Sequence, residues 1–180
     1  MLDIYGISGF ETMTSLPNIT FVITILITAI SFITNKENEH IMKHIILALS
    51  IIGFIIHFIH LYILGLRLFR QTKTNLFGTD TIFKLILSNI LSFTNIYYSL
   101  YLFDKDSFYI SKNDYKDINS KYHYPKLHFI FLYFSVYTFF TQGYGDVYPD
   151  NVKSRSLAII QMIMTYIDTA YIFSKVMSYI

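Results

Sequence analysis

Thr141-Gln142-Gly143-Tyr144-Gly145-Asp146 is the stretch from which the rest of the chain can be read. Two glycines alternate with larger residues. An ordinary extended strand turns successive carbonyls to opposite sides. Turning them all to one side requires alternate residues in the left-handed region of backbone space. Glycine enters that region without steric cost. Gly143 and Gly145 therefore permit a row of carbonyl oxygens on one side, with the Gln142 and Tyr144 side chains on the other. Thr141 adds a hydroxyl at one end of the row, and Asp146 adds a carboxylate at the other.

Apolar segments flank the stretch on both sides. Leu127 to Phe140 reaches about 20 Å as a helix, short of the roughly 30 Å hydrocarbon core of a bilayer. It is therefore a candidate for a short re-entrant helix. The segment after it, about Ser154 to Ile180, is long enough to span. Three more spanning segments lie upstream, at about Pro17 to Thr34, Ile41 to Phe69 and Ile82 to Phe103. Asp104 to Lys126 is polar and of mixed charge, and reads as a surface loop.

Composition agrees with a membrane protein. Hydrophobic residues make up 53% and charged ones 14%, where soluble domains carry about a quarter charged. The aromatic residues are Phe 17 and Tyr 16, and tyrosine favours membrane–water interfaces. A net charge of +2 is too near neutral to suggest a nucleic-acid partner. The absence of cysteine excludes disulfides and thiol chemistry. Asp3 and Glu11 precede the first apolar run without any Lys or Arg, so a retained helix is expected rather than a cleaved signal peptide. Small and polar residues form stripes at helical spacing: Thr20, Thr24, Thr28 and Ser31; Ser50, Gly53, His57 and His60; Ser88, Ser92, Asn95 and Ser99. Such stripes let membrane helices pack closely. An enzyme is not expected: there is no Gly-x-Ser-x-Gly, no His-Glu-x-x-His, and no second aspartate in an apolar run beside Asp168.

A row of backbone carbonyls can replace the hydration shell of a cation. Here the sequence resembles the tetrameric potassium channels, specifically their two-helix pore domain. The resemblance rests on the run Tyr133 to Pro149, in which the family's filter pattern Thr-Val-Gly-Tyr-Gly stands as Thr141-Gln142-Gly143-Tyr144-Gly145. A downstream Tyr148-Pro149, a short helix before and a spanning helix after complete it. The resemblance covers about residues 82 to 180. It implies an all-α membrane protein of four transmembrane helices, with a re-entrant pore helix and filter loop between the third and fourth. Residues 1–78 would be an N-terminal helix pair and 79–180 the pore domain. It implies a homotetramer in the plasma membrane that conducts K+ passively, with no cofactor, no bound metal besides K+ and no small-molecule substrate. Thr141 to Gly145 would bind the ions, and Asp146 would concentrate cations at the outer mouth. The loop's Asp146 end then faces outside and both termini are cytoplasmic. Little chain follows the last helix, so no gating domain is expected there.

Departures from the family pattern are local. Gln142 stands where Val or Ile is usual and calls for a hydrogen-bond partner, with Tyr137 a candidate. Phe140 replaces a second threonine, Tyr137 stands where some relatives have glutamate, and Thr165 falls where an inner-helix glycine is common. A non-conducting or weakly selective partner subunit is therefore the alternative reading. Thr165, Tyr166, Asp168, Thr169 and Phe173 are candidates to line the cavity below the filter. Asp168 either faces that cavity or hydrogen-bonds a neighbouring helix, with Lys175 as a possible partner. His57 and His60 read as packed residues, since two imidazoles make an incomplete metal site. His123 and His128 would lie near the outer mouth. Arg67, Arg70 and Lys73 have the spacing of a voltage sensor, but sit at one end of their segment and read as interfacial anchors on the cytoplasmic side.

Overall fold

In a computed structural model the backbone is described at residues 4–34, 37–69, 79–111 and 123–177, and side chains at 18–34, 37–63, 82–111, 123–174 and 177. The chain is mostly helical. Five helices are described: α1 (Ile4–Ile33), α2 (Glu39–Phe69), α3 (Thr79–Phe103), α4 (His123–Phe139) and α5 (Val152–Met177). A single 3-10 turn, Lys105–Ser107, and two short strands, β1 (Phe108–Ile110) and β2 (Val147–Pro149), complete the described elements.

Apolar run and helix do not coincide in α1, which starts at Ile4 and continues through Pro17. An apolar run marks what lipid or core can solvate, whereas the backbone ladder stops only where a residue cannot extend it. Proline removes one rung without ending the helix when the flanking turns hold. By length and composition, α2 over Glu39–Ile63 and α5 over Val152–Ser174 can cross a membrane. The apolar part of α1, Asn18–Ile33, is shorter, and the polar side chains along α3 lower its hydropathy.

Those polar side chains hold the bundle together. Ser50 Oγ lies 2.7 Å from Ser99 Oγ and donates to the Asn95 carbonyl, joining α2 to α3. His57 Nδ1 lies 3.1 Å from Ser88 Oγ. Asn95 donates to Thr24 Oγ1 and Ser31 donates to Tyr98, joining α1 to α3. At Gly53 a Cβ would stand 3.5 Å from Ile23, so the small residue lets α1 and α2 approach. Tyr97, Tyr98, Phe93 and Phe131 are the largest fully buried side chains and form the centre of the core, between α3 and α4.

The loop predicted over Asp104 to Lys126 is structured at its start. Phe108–Ile110 pairs antiparallel with Val147–Pro149, in the register Phe108↔Pro149, Tyr109↔Tyr148 and Ile110↔Val147. Phe108 is buried with its ring edge-on to Tyr97, Phe131 and Phe134. The local polarity of this segment had hidden the alternation of buried Phe108 and Ile110 about exposed Tyr109. At the same end, burial lowers the Lys105 pKa, with Glu39 opposing and Lys43 reinforcing. Its ammonium sits 4.6 Å above the Tyr101 ring.

Candidate functional site

The loop after α4 has the backbone its glycines allow. Thr141, Gly143 and Gly145 all have positive φ, at 55°, 62° and 80°. A Cβ added at either glycine would meet nothing within 4 Å. Glycine is therefore required by the backbone angle and not by crowding. Thr141 takes the same region despite its β-branch, an uncommon conformation for such a residue. Residues Thr141 to Gly145 are exposed in the single chain.

Hydrogen bonds fix both ends of this loop. On the α4 side, Thr141 N donates to Thr138 O at 3.1 Å and Gln142 N to Tyr137 O at 2.9 Å. On the far side, the Tyr137 hydroxyl donates to Val147 O, and Val147 N donates to Asp146 Oδ1 at 3.0 Å. Ser111 N donates to Asp146 O at 2.9 Å, tying the loop's exit to the strand pair. Tyr137 thus braces the loop through Val147 rather than through the Gln142 side chain, which is a correction to the expected pairing. The Tyr144 ring stacks on Tyr133 at 6.3 Å and meets Tyr137 edge-on at 5.9 Å. A cavity of about 330 Å³ lies behind the loop, lined in part by Phe134, Tyr137, Thr138, Val147 and Met162.

Gln161 locks the helices around this loop, and sequence reading had not singled it out. Its amide donates to Ser135 O and Oγ at 3.1 and 2.9 Å, and its oxygen accepts from the Tyr97 hydroxyl at 2.8 Å. Ser135 Oγ donates in turn to Ile90 O at 2.7 Å. Three helices, α3, α4 and α5, meet in one buried network. The available signal was a lone glutamine in an apolar helix, which must find partners when buried. Asn151 starts α5, accepting from Ser154 N at 3.0 Å as its N-cap, and donates to Asp104 Oδ2.

Along α5 the cavity candidates divide between two faces. Thr165 and Asp168 are buried, and Asp168 Oδ2 accepts a 2.7 Å bond from Asn89 of α3. Tyr166, Thr169 and Phe173 share the exposed face on the other side. Lys175 lies outside the described side chains, as does Arg67, and Arg70 and Lys73 lie outside the described residues.

His57 and His60 are buried between the helices. His128 departs from its expected place near the mouth. It is 5% exposed, its Nε2 donates to Asn95 Oδ1 at 3.1 Å, and its Nδ1 lies 3.3 Å from Thr28 Oγ1. It sits one turn into α4 on the side facing α1 and α3, which hydropathy alone cannot assign. His123, at the start of α4, is half-buried.

A family model described as an ion channel matches residues 85–180, more than half of the chain, from within α3 to the end. Comparison with curated proteins and with solved structures gave no match. The matched region contains the alternating left-handed loop, the helix before it and the helix after it, and the chain belongs to the two-transmembrane, potassium-channel-like ion channel family.

Proposed function

We propose that the chain is one subunit of a potassium-selective channel, a homotetramer that conducts K+ passively across the plasma membrane. The observation that carries this reading is the positive φ recurring at Thr141, Gly143 and Gly145. Alternation of this kind turns successive carbonyls toward one side, where four copies around an axis would replace the water of a dehydrated cation. Gln142 and Tyr144 then face away from the ions, with Tyr144 held among Tyr133 and Tyr137. Asp146 stands at the outer mouth. The α4 helix ends at the loop, so its negative end favours a cation below the filter.

In this reading α1, α2, α3 and α5 span the bilayer and α4 is the re-entrant pore helix. Residues 1–78 are a helix pair placed before the pore domain, 79–180. Channels of this kind work as oligomers, and the exposed apolar side of α5, with Ile159, Ile163 and Ile167, is the surface that neighbouring subunits would cover. Tyr166, Thr169 and Phe173 suit the cavity lining, while the hydrogen bond from Asn89 favours a helix-packing role for Asp168. Both termini are cytoplasmic, and the permeant ion is the only ligand required.

A partner subunit that is non-conducting or weakly selective is the second reading. The exposed Gln142 side chain, which makes no hydrogen bond among the described residues, favours it. The test is potassium flux into liposomes holding only the purified chain, with sodium as competitor and barium as blocker. Selective, barium-sensitive flux is expected. Flux without selectivity, or silence in a confirmed tetramer that conducts only with another subunit, would favour the second reading.

A further inference from the structure

Between α3 and α5, three buried oxygens stand without hydrogen-bond partners among the described residues: Asn89 Oδ1, Thr165 Oγ1 and Asp168 Oδ1. Asn89 and Asp168 are 0% exposed and Thr165 is 6% exposed. The 2.7 Å bond from the Asn89 amide to Asp168 Oδ2 holds two of these side chains together. Thr165 precedes Asp168 by one turn on the same buried side of α5. Gln161, one turn earlier again, has both ends of its amide bonded, to Ser135 and to Tyr97. The polar side of α5 thus passes from satisfied to unsatisfied within one turn. Buried polar atoms almost always have a partner, so these three call for one.

Their chemistry narrows what that partner is. A carboxylate, an amide carbonyl and a hydroxyl all offer oxygen, the ligand of hard cations. A water molecule would bond all three but would leave the Asp168 charge inside a segment that can cross a membrane. A cation answers the oxygens and the charge together. Asp168 is the lone acid of α5, and the lone acid of α3, Asp80, lies about 14 Å of helix before Asn89. One carboxylate balances one positive charge, and a divalent ion would leave a net charge buried. Among monovalent ions, the strong field of a carboxylate favours the smaller, whereas the weaker field of carbonyl dipoles suits potassium. Lys84 lines the side of α3 that faces α1. Lys175 stands two turns beyond Asp168, outside the described side chains.

We propose that Asn89, Thr165 and Asp168 form a sodium site between α3 and α5. The bound ion clamps α5 to α3 just past the Gln161 network and stabilises that packing by mass action. Tyr166, Thr169 and Phe173 share the exposed face of α5, so the ion sits apart from the side suited to the cavity. The site itself does not depend on the loop conducting potassium. It makes sodium a regulator of the two helices that flank the loop.

The test is thermal unfolding of the purified full chain, with potassium constant and sodium exchanged for N-methylglucamine. Sodium is expected to raise the wild-type midpoint along a saturating curve, and added potassium to raise it less. Asp168→Asn should match wild type without sodium and need about a hundredfold more sodium for the same rise. Thr165→Val should need about tenfold more, while Thr165→Ser, which keeps the oxygen, should stay near wild type. No sodium effect on wild type would assign the oxygens to water or a proton and overturn the site. A rise that survives in both Asp168→Asn and Thr165→Val would place the ion elsewhere and overturn it as well. An equal rise with potassium overturns the choice of sodium. A rise seen only in Lys175→Met would make that lysine the counter-ion and overturn the proposal. Gly145→Ala should keep the wild-type sodium response while losing selective flux, which separates failure of this site from failure of the channel reading.

Discussion

Replacing Gly145 by alanine isolates the backbone requirement of the loop from every other contribution. Gly145 has φ 80°, and a Cβ there would meet nothing within 4 Å. No clash with a neighbouring group within the chain enters the result, so the cost is that of holding an L-residue left-handed, about 1–2 kcal/mol per chain. Four filter strands share one axis in the proposed tetramer, giving about 4–8 kcal/mol against the conducting arrangement. At 1.4 kcal/mol per tenfold, that is about three to six powers of ten. The assay is potassium flux in liposomes, with tetramer content measured on the same sample. Gly145→Ala should abolish selective flux in a chain that still reaches the membrane. The decisive comparison is D-alanine at 145, introduced by semisynthesis. A D-residue prefers positive φ and adds the same methyl group, so it should retain flux that the L-residue loses. Equal behaviour of the two stereoisomers would refute the argument, because the effect would then come from the methyl group's contacts and not from chirality.

Three further outcomes follow from the buried polar network. Gln161→Leu leaves the Tyr97 hydroxyl and Ser135 without their partner and should destabilise the fold by about 1–3 kcal/mol, read as earlier thermal unfolding; an unchanged midpoint would remove Gln161 from its locking role. Asp168→Asn keeps an acceptor for Asn89 and should preserve thermal stability, whereas Asp168→Leu orphans the Asn89 amide and should lower stability by about 1–3 kcal/mol; the reverse order would mean that the carboxylate charge itself matters. His128→Leu removes a donor to Asn95 and should loosen α4 from α3 at a similar cost of about 1–3 kcal/mol, with faster hydrogen exchange in α4, and His128→Gln should recover part of it.

The helical content was legible wherever a segment was long and apolar, because burial in lipid or core imposes hydrophobicity along a whole helix. The predicted α2, α3 and α5 each begin within three residues of the observed helix. Polar stripes such as Thr20, Thr24 and Ser31 were legible for the same reason in reverse: a buried hydroxyl in an apolar helix must face another helix. Legibility failed where a residue's partner is distant in sequence. Phe108 and Ile110 look like part of a polar loop until β2 pairs with them. His128 looks like a surface histidine until α1 and α3 close over it. Gln161 looks unremarkable until Ser135 and Tyr97 arrive on either side.

The sequence by itself determined the positive φ at Gly143 and Gly145, since glycine tolerates it without steric cost and that constraint is local to each residue, but not the same angle at β-branched Thr141. It also determined the succession of short helix, glycine loop and long helix, because hydropathy and length act along one chain. Only the tertiary structure decided which face of each helix does what. It turned Asp168 toward Asn89 and left Tyr166, Thr169 and Phe173 on the open side. It gave the Tyr137 hydroxyl to Val147 and closed α1 and α3 over His128. Helical spacing states which residues share a face, but the neighbour that covers that face is chosen by the packing of the whole bundle.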